Sequence, residues 1–271
     1  MMLPTYRIRA VVFCLALFPA ALPAQTATPE RNLHGQLPLG VRVHVRGVAQ
    51  RGDTVTLAYA VENVRSGGED FTALLVDIPA AVVHMPKPAR FDWVTQPRYK
   101  GTIAAWVLVE DDMLHAGQTS PDLTILARGV PGLVRYWAVP DLVANPARFV
   151  DEDGTGDPYL VFADTGTTVG VVPVPAGATP ASLVARLLAL TQRACDPLGW
   201  ISKAGICQSL EVKLTHAQSA LVAGDVESAR GELRAFGNEL DAQHGAQPGK
   251  AVNDDAYALL GLNAAFLLAQ L

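Results

Sequence analysis

Cysteine is scarce: three residues in 271, at positions 14, 195 and 207. That excludes a cysteine-rich scaffold held together by many disulfides or by a thiolate metal cage. A basic excess is also missing. With 21 Lys and Arg against 26 Asp and Glu, the formal net charge is −5, so the chain lacks the electrostatic footprint of a nucleic-acid binder. After the first two dozen residues no apolar run approaches the ~20 residues a membrane helix needs. Nor is there a Gly-x-Ser-x-Gly nucleophile elbow or a phosphate-cradling glycine loop. The six histidines, His34, His44, His84, His115, His216 and His244, have no metal-ligand spacing. These absences lean against catalysis, although acids can still assemble across a fold.

What is present begins with a leader. Arg7 and Arg9 precede the apolar run VVFCLALFPAAL, and Leu22-Pro23-Ala24 ends in a small residue before Gln25. This is the pattern of a signal peptide over 1–24, cleaved near Ala24 to leave a secreted, periplasmic or extracellular protein. Cys14 would be lost with it. In an oxidising compartment, Cys195 and Cys207 are then expected to form a disulfide.

Residues 25–39 are polar, carry Pro29 and Pro38, and read as a flexible lead-in. From 40 to 173 the pattern is one of short β-like runs between turn residues. Val41, Val43 and Val45 alternate with Arg42, His44 and Arg46. After Arg51-Gly52-Asp53 come TVTLAYAVENV, FTALLVDI, TIAAWVLVE, DLTILA, LVRYWAV, PYLVF and TVGVVPV. Many short strands with Gly and Pro breaks point to an antiparallel β-sandwich, immunoglobulin-like though without the Cys–Trp–Cys signature. TIAAWVLVE is apolar on both alternating faces and suits a central strand. In LVRYWAV, Val134, Tyr136 and Ala138 share one face, with Arg135 and Trp137 on the other.

From 174 to 271 the periodicity becomes helical. Thr179 caps a helix with Pro180 in its first turn and Leu183, Leu187 and Leu190 at helical spacing. Then follow Leu210, Leu214, Ala217 and Leu221; Val226, Ala229, Leu233, Phe236 and Leu240; and Tyr257, Leu260, Ala264, Leu267 and Leu271. Each set lies on one helical face. Gly224 and Gly245 stop helices, while Asp225 and Asn253 cap the next ones. The expected class is therefore α+β in segregated domains, a β-sandwich followed by a C-terminal four-helix bundle.

The last quarter, about 205–271, resembles the FIMAH-type helical modules at the ends of secreted bacterial multidomain proteins. Ser209-Leu210, Lys213-Leu214, Ala217, Gly224-Asp225, Ala229, Leu233, Phe236, Asn238-Glu239 and Gly249-Lys250 carry the likeness. The resemblance implies an appended, non-catalytic module for attachment or assembly. It assigns no catalytic or binding residue.

Three local candidates remain. Asp151, Asp153 and Asp157 place carboxylates on a glycine-containing turn, with Asp164 in reach of the series, and hard oxygen ligands of this kind suit a structural calcium. The same residues also make an ordinary acidic turn. Arg135 and Trp137 could form a surface aromatic patch for sugar stacking. Arg51-Gly52-Asp53 matches an adhesion tripeptide but is ordinary hairpin-turn chemistry. Asp111-Asp112, ahead of His115-Ala116-Gly117, reads as a polar turn. The expectation is a secreted non-catalytic binding or structural protein, its partner a cell-envelope protein or polysaccharide. The alternatives are a secreted hydrolase with a calcium-stabilised β domain and a carbohydrate-binding module.

Overall fold

A computed structural model describes residues 39–64, 69–109, 112–141, 160 and 163–271. Among them the strands are β1 (Val41–Arg51), β2 (Thr54–Asn63), β3 (Phe71–Asp77), β4 (Ala81–His84), β5 (Trp93–Lys100), β6 (Ile103–Leu108), β7 (Leu123–Arg128), β8 (Val130–Pro140) and β9 (Asp164–Val172). The helices are α1 (Pro180–Cys195), α2 (Ala204–Val222), α3 (Val226–Gln243) and α4 (Asp254–Gln270).

The strands form two antiparallel sheets, one in the order β1-β2-β7-β4 and the other β5-β6-β3-β8-β9. With β1 as A and β2 as B, the first sheet runs A-B-E-D. The second places β3, β8 and β9 as C-F-G, which is immunoglobulin order with two added strands beside C. The chain is thus an immunoglobulin-like sandwich followed by four helices, the α+β class expected.

Alternation explains which residues meet between the sheets. Val43, Val45, Leu57, Tyr59 and Val61 point inward from β1 and β2; Leu74, Val76, Trp106, Val134, Ala138, Val169 and Val171 answer from the second sheet. Each fully buried aliphatic side chain contributes roughly 1.5–3 kcal/mol. Tyr59 adds a polar tie. Its hydroxyl donates to the Val169 carbonyl at 2.8 Å, and its ring meets Trp106 edge-on with centroids 5.7 Å apart. The β1–β2 hairpin turns at Gly52, whose φ of 58° is the positive value that the first central position of a type II′ turn requires.

Several sequence expectations need correction. β4 and β5 are not among the runs the pattern marks: β4 is four residues long, and β5 is a largely exposed edge strand containing Pro97, so neither carries a clean alternating pattern. PYLVF reads as a strand in sequence. Most of it lies outside the described residues, but Leu160 is helical and packs on the outer face of the second sheet. In α1 the fully buried positions are Val184, Leu187, Thr191 and Ala194, with Leu183 and Leu190 on the flanks of that stripe. α2 begins at Ala204, ahead of the Leu210 stripe, and carries Cys207 within its first turn; no side chain caps it. Val226, expected on the buried stripe of α3, is exposed.

The caps at Thr179, Asp225 and Asn253 are all as expected, each side chain accepting a backbone N–H of the first turn. Gly224 closes α2 with φ of 80°. Cys195 and Cys207 are disulfide-bonded, tying the end of α1 to the start of α2.

α4 differs from its neighbours. Asp255, Ala256, Ala258, Leu259, Leu260, Asn263, Ala264 and Leu267 are all buried, which covers more than one face. A helix apolar nearly all round is a helix enclosed on several sides. α4 packs on α1 and α3 and also on β1 and β8, filling the open side of the sandwich where β1 and β9 are the sheet edges. One apolar core therefore runs from the sheets through α4 into the bundle, across the expected boundary near 173.

Candidate functional site

Several concavities flank α4, and two of them bring polar side chains together with residues from the sandwich. The first is a groove of about 460 Å³ between α3 and α4, with Val48 of β1 also in its lining. Its walls are Leu233, Leu262, Ala264, Ala265 and Leu268, opened by Gly237 on α3 and Gly261 on α4. Arg234, Asn238, Asp241 and Tyr257 supply the polar groups. At one end the Tyr257 hydroxyl donates to Asp241 Oδ1 at 2.8 Å, and the Tyr257 ring stacks on His244, centroids 4.0 Å apart and 9° from parallel. Donation to Asp241, with some burial and the nearby carboxylate charge, raises the Tyr257 pKa, so the phenol stays protonated at neutral pH.

The second concavity is an acidic cleft of about 360 Å³ lined by Arg42, Val43, His44, Glu62, Trp200, Asn253, Asp254 and Asp255. In sequence the histidines are scattered; here His44 lines the cleft and His244 reaches its Asp254. His244 Nε2 lies 2.7 Å from Asp254 Oδ1, and His44 Nε2 lies 4.0 Å from Glu62 Oε1. Burial depresses the His44 pKa, with Glu62 opposing, so the imidazole is neutral at pH 7. Asp255 is 5% exposed and accepts the Val45 N–H at 2.8 Å. Burial raises its pKa to about 7; the Val45 hydrogen bond opposes this, and neighbouring Asp254 adds to it. The faint signal in the sequence was Asp254-Asp255 directly after the Asn253 cap, where acids are expected anyway to complement the helix dipole.

The residues singled out in sequence are dispersed. Asp151, Asp153 and Asp157 lie outside the described residues. Asp164, at the start of β9, accepts the Leu39 N–H. Arg135 is exposed with its guanidinium 5.8 Å from the Trp137 ring centroid. Trp137 itself is half-buried, covering the outer face of the second sheet over Ala73, Leu75, Ala105 and Val139. Arg51, Gly52 and Asp53 are exposed at the tip of the β1–β2 hairpin, and the Asp53 carbonyl accepts the Gly129 N–H. Asp112 accepts the Asp92 N–H; Asp111 is outside the described residues. Among the described residues, no group of three or more His, Cys, Asp or Glu is placed to hold a metal ion. No helix among them is long and apolar enough to cross a membrane.

Fold and concavities together define an immunoglobulin-like sandwich closed on its open side by a helical segment. A solved structure of an uncharacterised Nocardia farcinica protein, described as revealing an immunoglobulin-like fold, aligns with 50% of this chain and 99% of its own at 14% identity and a TM-score of 0.29. No family model matches the chain, and no curated protein matches it.

Proposed function

We propose that this is an exported, non-catalytic binding protein whose ligand-holding surface is the groove between α3 and α4. The observation that carries the reading is the pair of glycines opening that groove. Gly237 and Gly261 both sit in helix interiors, where glycine costs ~0.5–1 kcal/mol relative to alanine. A Cβ at Gly237 would meet nothing within 4 Å, and one at Gly261 would only reach the Tyr257 ring at 4.0 Å. Packing within the chain does not require either glycine, and both line the groove, where a longer side chain would take up its space. Export is supported by the basic-then-apolar start and by the Cys195–Cys207 disulfide, a bond that persists in oxidising compartments. The resemblance of 205–271 to FIMAH-type modules supports a role in attachment or assembly at the cell envelope.

The test is binding of an uncharged solvatochromic dye such as Nile red. Dye emission should rise with the parental protein and fail to rise with Gly261→Leu, at a melting temperature no lower than the parent's. Equal emission from both proteins would move the binding surface elsewhere.

A second reading, hydrolysis at the acidic cleft, is favoured by a carboxyl held near neutral pH on the same wall as His44 and Glu62. It is weaker because Asp255 is buried and engaged with the backbone of β1. Hydrolysis of glycan, ester or peptide substrates that disappears in Glu62→Gln would establish it. The carbohydrate-binding alternative has less support, since Trp137 is half-buried beside Arg135.

A further inference from the structure

We infer that the α3–α4 groove takes a single-chain alkyl carboxylate, its head held by Arg234 and Asn238 and its tail lying over Gly237 and Gly261. This rests on the groove being the binding surface, and goes further by naming the ligand's chemistry. The charge pattern of α3 is the argument. Its acids are committed elsewhere: Glu227 to Arg230, Glu232 to His216, Glu239 to Lys213 and Ser209, and Asp241 to Tyr257. Among the described residues, Arg234 has no hydrogen bond or ion pair, yet it lines the groove. An exposed planar guanidinium left unpaired on the lining of a largely apolar groove matches a carboxylate, which it can hold through two parallel N–H bonds. Asn238 stands one helical turn further along the same face, so its amide can donate to the same head group.

The interior fits a chain, not a second charged group. Val48, Leu262, Ala265 and Leu268 offer hydrocarbon, and the far end is closed by the Tyr257 hydroxyl already committed to Asp241. From Arg234 to Asp241 the rise along α3 is about 10 Å. That length suits a short to medium alkyl chain, and the groove's volume falls in the range of small-molecule sites.

The experiment is calorimetric titration of the intact exported chain with octanoate, decanoate and octanol. Octanoate should bind, decanoate roughly 15-fold more tightly at about 4-fold per added methylene, and octanol about 10-fold more weakly than octanoate. Arg234→Gln should bring octanoate down to the level of octanol without changing octanol binding. Gly261→Leu, with Gly237→Leu as a second plug, should abolish all three. Equal binding of octanoate and octanol, or no effect of Arg234→Gln, overturns the carboxylate assignment and leaves the groove standing. Absence of all three ligands together with absence of Nile red binding overturns the groove itself.

Discussion

The Asp255 carboxylate accepts the backbone N–H of Val45 at 2.8 Å, joining residues 210 positions apart. Val45 lies at the irregularity in β1, where the register with β2 shifts between Val45 and Gly47. β1 is a sheet edge, and an uncovered edge presents free N–H groups to any passing strand. α4 covers that edge with Asp255, and it reaches the other sheet through Asn263, whose amide donates to the Pro131 carbonyl at 3.0 Å. The two bonds hold both sheets to one helix.

Asp255 makes stability depend on pH. Its pKa of about 7 in the folded chain stands above the ordinary value of 3.8, so the native state binds the extra proton across that window. Its contribution is therefore fully present below about pH 4 and is lost as pH rises through 7. The full loss is about 4 kcal/mol. Other carboxylates titrate too, so the measurement is the difference between parental and Asp255→Asn unfolding free energies in urea. The substituted amide retains an acceptor for the Val45 N–H and does not titrate. The variant should gain on the parent by roughly 4 kcal/mol from pH 4 to pH 8; a difference that does not change with pH would contradict the assignment.

Gly237→Ala and Gly261→Ala should each raise stability by about 0.5–1 kcal/mol, since helix propensity improves and the new methyl has room. Thermal melts read this directly. A drop in melting temperature for either variant would mean that the glycine serves the fold, and would remove the argument that it serves the groove.

Leu233 and Phe236 are fully buried on α3. Leu233→Asp or Phe236→Asp places a charge in the shared core and should cost more than about 4 kcal/mol. The expected outcome is loss of helical ellipticity in the purified variant. Parental helix content and melting curve would refute the bundle packing.

Much of this architecture was legible in the sequence because local chemistry repeats. Thr179, Asp225 and Asn253 announce helix starts, and Val41, Val43 and Val45 announce a strand with one face inward. Where a residue's fate depends on distant chain, the signal disappears. Val226 has the right spacing for the α3 stripe, yet it stands at the first helical position, beyond the reach of the packing below. The apolar residues of α4 cover more than one face and so mark an enclosed helix, but nothing local says that a sandwich supplies its second wall. The acidic cleft was invisible for the same reason. His44, Glu62 and Asp254 converge only after β1, β2 and α4 have packed. The groove left only two traces, Gly237 and Gly261 within helical runs.

Breaking the disulfide should loosen one joint only. Cys195→Ser with Cys207→Ser frees a loop of 12 residues and should lower unfolding free energy by roughly 2–3 kcal/mol. Denaturant titration with and without reductant on the parental protein gives the same comparison. No change on reduction would contradict the bond's stabilising role.

The most direct test of a core shared by sheets and helices is denaturant unfolding followed by two probes on one sample. In a Trp200→Phe background, tryptophan emission reports the sandwich through buried Trp93 and Trp106, and far-ultraviolet ellipticity reports the helices. A common core predicts superimposable curves with a single midpoint for both probes. Ellipticity lost at lower denaturant, with the emission still native, would show that α4 is not held by the sandwich and would contradict the account.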